Sequence, residues 1–248
     1  MARSVTSYDQ AAQLRGLREQ GWCAFEGFFD GAENEGMVLR LTALLGGREV
    51  DSLTGLGCTV FSLLARDPGF GGYLGRSDIL SFCARALGVP ERGPRLCRTG
   101  ARLSGPACGE RLEWHHHQGE LQQALDERER FERLLVLCYP LGSSERIGPL
   151  VVRSRAFDDP LESAPRDPFA PLAGEQALEV TPGTAVVIDA PLLHAAGRGS
   201  ESVLRLVWGA QLQAAGDRTA HPDDDPLGER WRATRRRWVA SLRGTGTE

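Results

Sequence analysis

The sequence predicts a mainly β domain with α-helices along its flanks. Short apolar, β-branched runs recur in the second half, at Leu134–Leu141, Thr184–Asp189 and Val203–Trp208, each of strand rather than helix length. Helical spacing of apolar residues is confined to stretches before residue 90 and to the tail. A chain of 248 residues with no linker-like stretch suits one domain, since all-β and barrel-like domains reach this size undivided; residues 1–248 are expected to form one unit.

The elements follow in order. Residues 8–20 and 34–46 carry apolar residues at helical spacing, and Gly46-Gly47 closes the second stretch as a C-terminal stop. Residues 60–65 and 77–87 are expected to be further short helices, with Ser77-Asp78 as a cap. Leu134–Leu141 is a continuous apolar strand followed by a Gly142-Ser143-Ser144 turn. Residues 120–133, rich in Glu, Gln and Arg, have helical propensity without a decisive period. Residues 155–175 hold four of the fourteen prolines, the composition of an irregular loop of the kind that borders binding sites. Pro226–Leu242 places Leu227, Trp231, Thr234, Trp238 and Leu242 on one side of a helix.

Composition narrows the function. A hydrophobic fraction of 41% with 25% charged residues is that of a globular protein. Twenty-nine basic against thirty-three acidic side chains, a formal charge of -4, offer no general attraction to nucleic acid or anionic membrane. Arg235-Arg236-Arg237 lies close to Asp223-Asp224-Asp225 and reads as a solvated helix face. The chain has no lysine, which excludes lysine Schiff-base chemistry. No apolar run approaches the roughly 18 residues that span a bilayer, and the start lacks a secretion signal pattern, so a cytoplasmic protein is expected. The six cysteines, Cys23, Cys58, Cys83, Cys97, Cys108 and Cys138, form no Cys-x-x-Cys pair and read as reduced thiols.

The chemistry concentrates at Trp114-His115-His116-His117-Gln118-Gly119, with His194 far downstream. If 114–118 is a strand, His115 and His117 share one face and His116 the other. His194 follows the Thr184–Asp189 run, and Asp189 fixes the turn before it. Together the three histidines can form a facial triad on one ion. Arg205 alternates with apolar residues in Val203–Trp208; an inward guanidinium there calls for an anion such as a bound carboxylate. The bland reading is a surface histidine cluster and a structural ion pair for Arg205; the four residues taken together argue against it.

At this point the chain resembles the phytanoyl-CoA dioxygenase-like branch of the Fe(II)/2-oxoglutarate oxygenases. Leu17 to Phe29 is similar to the family's opening helix and first strand, Trp114–Gly119 to its Trp-His-x-Asp motif, Ile147-Gly148-Pro149-Leu150 to its Asn-Gly-Pro-Leu turn, and Pro182-Gly183 through His194 and Arg205 to its distal histidine and 2-oxoglutarate-binding arginine. The resemblance implies a double-stranded β-helix, a jelly-roll relative of the cupins, with helices packed on one sheet. It also implies Fe(II) held by His115, His117 and His194, 2-oxoglutarate paired with Arg205, and molecular oxygen as co-reactant. The expected reaction is oxidation, by hydroxylation, of a small specialised metabolite. Arg98, Arg102, Arg153 and Arg155 are candidates for recognising an anionic group on it.

Two departures leave alternatives open. His117 stands where the family carries its aspartate, so the ligand set is all nitrogen and the metal keeps one more unit of positive charge. Val151-Val152-Arg153-Ser154-Arg155 replaces a Pro-Gly-Ser-His turn. A family member that has lost the oxygenase, as an isomerase, cyclase or binding protein, fits the lost aspartate; so does a three-histidine dioxygenase that does not use 2-oxoglutarate. A shifted register, with His117 followed by Gly119 as in iron halogenases, is a further reading, and Glu120 is a weaker substitute carboxylate.

Overall fold

The computed structural model describes residues 8–45, 58–90, 93–104, 113–117, 130–200 and 205–214. Two antiparallel sheets face each other. The order of elements is α1 (Gln10–Gln20), β1 (Trp22–Phe25), α2 (Gly31–Leu45), β2 (Cys58–Phe61), α3 (Leu63–Arg66), α4 (Phe70–Leu74), α5 (Ser77–Leu87), β3 (Arg95–Ser104), β4 (Arg133–Tyr139), β5 (Leu150–Val152), β6 (Gln176–Leu178), β7 (Thr184–Asp189), β8 (His194–Ala196) and β9 (Arg205–Gln213). The major sheet runs β1-β7-β4-β9-β3-β2 and the minor sheet β6-β5-β8. This is the expected mainly β, cupin-like double-stranded β-helix with flanking helices.

Period-two alternation divides the major sheet between two cores. Leu134, Val136 and Cys138 of β4 and Leu206, Trp208 and Leu212 of β9 face the helices and join Leu17, Met37, Leu41, Phe70 and Phe82. Leu135 and Tyr139 face the minor sheet and pack with Leu150, Val152, Leu178, Val186 and Ile188. All six residues of β7 are buried, which is why its sequence is continuously apolar rather than alternating. Trp208 lies at the centre of the helix side, 5.1 Å from the Phe70 ring centroid, with its indole N–H 3.1 Å from the Met37 sulfur.

The helices obey local rules. Asp9 caps α1 through Oδ1, which accepts from the N–H groups of Ala11 and Ala12 at 3.0 Å each, and Gly21 ends it in the left-handed conformation. Several sequence expectations are corrected. Residues 60 and 61 belong to β2 rather than a helix, because β2 pairs with β3 from Cys58↔Leu103 to Phe61↔Gly100. Arg76, not Ser77-Asp78, is the N-cap residue of α5, and its side chain does not cap; it reaches Glu33 and Asp78 and lies 4.1 Å over the Phe28 ring. The α4 turn was not legible in the sequence. Residues 114–117 form an extended segment with an isolated bridge at His115, not a strand. Gly46-Gly47, Glu120, residues 121–129 and the 226–242 tail lie outside the described residues.

Gly209 marks the tightest point of the sheet: a Cβ built there would lie 2.2 Å from the Val136 carbonyl oxygen. Gly209→Ala is expected to cost about 1–3 kcal/mol, lowering Tm by several degrees, whereas Gly71→Ala, with nothing within 4 Å of the added methyl, should be neutral or slightly stabilising. Thermal unfolding of both variants checks this, and equal Tm values would rule it out.

Candidate metal centre

The segment 113–117 reaches its place by backbone pairing. His115 N donates to His194 O and His194 N to His115 O, both at 3.0 Å, and His117 N donates to Ala190 O at 2.9 Å. Trp114 anchors the same stretch: fully buried, it donates its backbone N–H to Pro168 O at 2.7 Å and its indole N–H to Ala170 O at 2.9 Å. The proline-rich insertion after β5 therefore clasps the residue beside the first histidine. Arg133, buried at the start of β4, donates to His117 O at 3.3 Å and to Gln213 Oε1 at 3.3 Å.

This brings His115, His117 and His194 together, one ligand nitrogen of each within 4.8 Å of the others. Their ring centroids are 5.1, 4.3 and 5.0 Å apart. Imidazole nitrogens at about 2.1 Å from a shared ion lie at most about 4.2 Å apart, so small ring rotations would close the set on a metal. Nδ1 of His115 is 2.9 Å from Glu113 O and Nδ1 of His194 is 2.9 Å from Leu192 O. A carbonyl only accepts, so each Nδ1 carries the proton and each Nε2 presents a lone pair, the tautomer a metal site requires. Burial, reinforced by the neighbouring imidazoles, holds His117 and His194 well below the ordinary histidine pKa, so both are neutral near neutral pH. His116 is not part of the group of three, and burial lowers its pKa too.

A cleft of about 550 Å³ opens over the three rings, with Arg205, Tyr139, Arg102 and Glu113 among its lining residues. Arg205 is buried and oriented by its Nε, which donates to Gly148 O at 3.0 Å. Gly148 holds that carbonyl in place with φ of +100°, and a Cβ there would lie 2.8 Å from Gly197 O. Among the described residues Arg205 has no carboxylate partner. The Tyr139 hydroxyl beside it is fully buried and, among the described residues, meets no partner of full hydrogen-bond geometry; the Arg205 side chain is its nearest polar neighbour, the guanidinium carbon lying 5.9 Å from the ring centroid. Burial pushes this phenol up to about 12, against a partial lowering by Arg205, so it is a proton donor. Buried polar groups are rarely left unpaired; a donor phenol and a guanidinium on one wall fit an anion.

The other predicted residues divide. Arg98 and Arg102 lie on the inner face of β3, and both line a second cavity of about 540 Å³ that also reaches His117. Arg153 and Arg155 line neither cavity. Arg153 is half-exposed and pairs with Glu162 at 3.4 Å. Arg155 is buried against Asp189 at 3.7 Å and donates to the carbonyls of Phe157 and Asp159, so it ties the insertion to β7. Asp189 also accepts the Leu192 N–H through its carbonyl at 2.9 Å, as expected for the turn before His194. Sequence reading missed Tyr139 and Arg133. A polar ring inside an apolar strand and an arginine at its start were the available signals.

Comparison with family models and with curated protein sequences finds no match. Solved structures do match. EvdO2 from Micromonospora carbonacea var. aurantiaca, complexed with 2-oxoglutarate, is 18% identical with a TM-score of 0.65, over 89% of this chain and 97% of its own. HygX from Streptomyces hygroscopicus, with nickel and 2-oxoglutarate bound, is 15% identical with a TM-score of 0.65, over 83% and 87%. The epimerase SnoN in complex with Fe3+, alpha ketoglutarate and nogalamycin RO is 14% identical with a TM-score of 0.65, over 83% and 84%. The chain shares the fold of these enzymes. At such identities the likeness is one of fold, and the chemistry of this chain has to be argued from its own residues. No helix among the described residues is long and apolar enough to cross a membrane.

The lowered histidine pKa values have a sign. Above the ordinary histidine pKa of about 6.5 these rings are neutral folded or unfolded. Below it the unfolded chain takes up protons that the buried rings refuse, so stability is lost as pH falls. The metal-free protein should lose Tm between about pH 7 and about pH 5, and His117→Gln should flatten that slope; equal slopes in a thermal scan would contradict the burial argument.

Proposed function

We propose that the protein is a non-haem Fe(II)/2-oxoglutarate-dependent oxygenase acting on a small anionic molecule, with hydroxylation as the simplest outcome. The observation that carries this reading is the conjunction, in one cleft, of three imidazoles, two of them with Nε2 lone pairs, and an anion pocket made by Arg205 and Tyr139. Either half alone has a structural explanation, whereas their juxtaposition matches a chelating dicarboxylate that bridges a metal and a guanidinium.

The donor set fits the group. Three neutral imidazoles satisfy a borderline divalent ion such as iron, and they leave its full charge to be balanced by anionic ligands. When bound, iron with 2-oxoglutarate and oxygen supplies the oxidising chemistry, the cosubstrate leaving as succinate and carbon dioxide. The chain's own residues do the rest. The carbonyls of Glu113 and Leu192 hold two rings in the ligating tautomer. Gly148 aims Arg205, which would hold the far carboxylate of the cosubstrate, and the Tyr139 O–H would donate to the same group. Leu135, Leu137, Leu150 and Val207 line the walls and limit water. The ligand-bound relatives of this fold support the assignment: one carries Fe3+ with alpha ketoglutarate and another nickel with 2-oxoglutarate.

The test is anaerobic titration of metal-free protein with Fe(II) and then 2-oxoglutarate. A weak visible charge-transfer band that saturates at a single equivalent is expected, and His194→Ala should abolish it. Iron binding without the band would replace this reading by a three-histidine dioxygenase that does not use 2-oxoglutarate, and the absence of iron binding would end the oxygenase reading. Tyr139→Phe should weaken 2-oxoglutarate binding by roughly tenfold while leaving the Tm of the ligand-free protein nearly unchanged, because the hydroxyl makes no hydrogen bond of full geometry among the described residues. A fall in Tm with unchanged 2-oxoglutarate affinity would show a structural tyrosine instead.

A further inference from the structure

The three candidate ligands are not held alike. The rings of His115 and His194 are each oriented by a carbonyl two residues earlier, Glu113 O and Leu192 O. The His117 ring is acted on by burial and by neighbouring titratable groups; among the described residues no hydrogen bond orients it. Its backbone is held instead. The His117 N–H donates to Ala190 O at 2.9 Å, the Ala190 N–H donates to Arg133 O at 3.1 Å, and Arg133 Nη1 donates to His117 O at 3.3 Å. These hydrogen bonds close a ring through three segments that are distant in sequence. Two of them use backbone atoms alone; the third exists only because residue 133 carries a long donor side chain.

The ring grips both peptide groups that flank the His117 Cα, one by its N–H and the other by its C=O. Peptide units are planar, so restraining both planes restrains φ and ψ at His117, and with them the direction of the Cα–Cβ bond. Only rotation about the side-chain bonds is left to the imidazole. Arg133 is itself anchored. It is buried at the start of β4, and its Nη2 donates at 3.3 Å to Oε1 of Gln213, a fully buried residue directly opposite it in the ladder with β9. A planar guanidinium fastened at one nitrogen presents the other in a set direction, which the single ammonium of a lysine does not do.

We propose that Arg133 is the positioning residue of the third ligand: by closing the ring through Ala190 it aims the His117 imidazole at the point where the rings of His115 and His194 converge. The carbonyls of Glu113 and Leu192 perform the corresponding task for the other two rings. The inference rests on the reading of the three histidines as a metal centre and is independent of the use of 2-oxoglutarate.

The experiment compares the full-length chain with Arg133→Met by two readouts. The first is anaerobic titration with Co(II), whose visible bands report the number and arrangement of its ligands. Loss of a group that orients a metal ligand costs on the order of 10–100-fold in affinity, so Arg133→Met should bind Co(II) at least about tenfold more weakly, with bands displaced toward those of His117→Ala. In the His117→Ala background the same substitution should cost nothing further, since Arg133 acts through His117. The second readout is amide hydrogen exchange of the metal-free protein. Exchange at His117 should accelerate by about tenfold or more in Arg133→Met while His115 and His194 keep their protection, because one charge-assisted hydrogen bond is lost locally. Unchanged Co(II) affinity and bands, an equal loss in the His117→Ala background, or uniform acceleration at all three histidines would show a merely structural arginine and overturn the proposal. If Arg133→Met does not fold, Arg133→Lys replaces it: the ammonium can reach His117 O or Gln213 but lacks the fork that joins them. Smaller changes in the same directions are then expected, and wild-type values in both readouts overturn the proposal. Should the wild-type chain take up no Co(II), the metal reading fails, and the exchange rate at His117 alone decides whether Arg133 holds that residue.

Discussion

Two reciprocal backbone hydrogen bonds between His115 and His194 organise this molecule. They join a segment with no regular structure to the short strand β8, and they do so at the residues whose side chains form the candidate site. Each such bond contributes only about 1 kcal/mol net, so the pairing persists because its surroundings prescribe it. Trp114 is locked under the proline-rich insertion, His117 is tied to Ala190, and Arg155 with Asp189 binds the insertion back to β7. A change far from the rings, in the insertion or at Asp189, would thus reach the site through the backbone.

The electrostatics follow from what the site lacks. A carboxylate ligand would have neutralised part of a divalent ion; three imidazoles neutralise none of it. Burial keeps His117 and His194 uncharged without metal, which avoids mutual repulsion and leaves them ready to ligate without losing protons. Among the described residues, Arg102, Arg205 and Glu113 line this cleft, and Arg98 lines the adjoining cavity.

Much of the frame was legible because its signal is local. β7 and β4 are apolar runs of strand length, and α1 has an aspartate cap and a closing glycine. Correspondingly, the errors lie where local signals compete. Residues 60 and 61 have helical spacing, yet pairing with β3 outweighs it; Ser77-Asp78 reads as a cap, yet the chain starts α5 a residue earlier in extended geometry. Arg153 and Arg155 looked equivalent to Arg98 and Arg102 in composition. Only the sheet register separates them, since Arg98 and Arg102 alternate onto the inner face of β3 whereas Arg155 turns toward Asp189.

The sequence by itself determined the class of fold and singled out the three histidines that the structure brings together, because histidine spacing, strand periodicity and the glycine turns are short-range patterns. Tertiary structure alone decided that Tyr139 stands beside Arg205 and that Gly100 meets Gly209 across a ladder. These residues lie 66 and 109 positions apart, and strand register, fixed by burial over the whole sheet, is what brings them together.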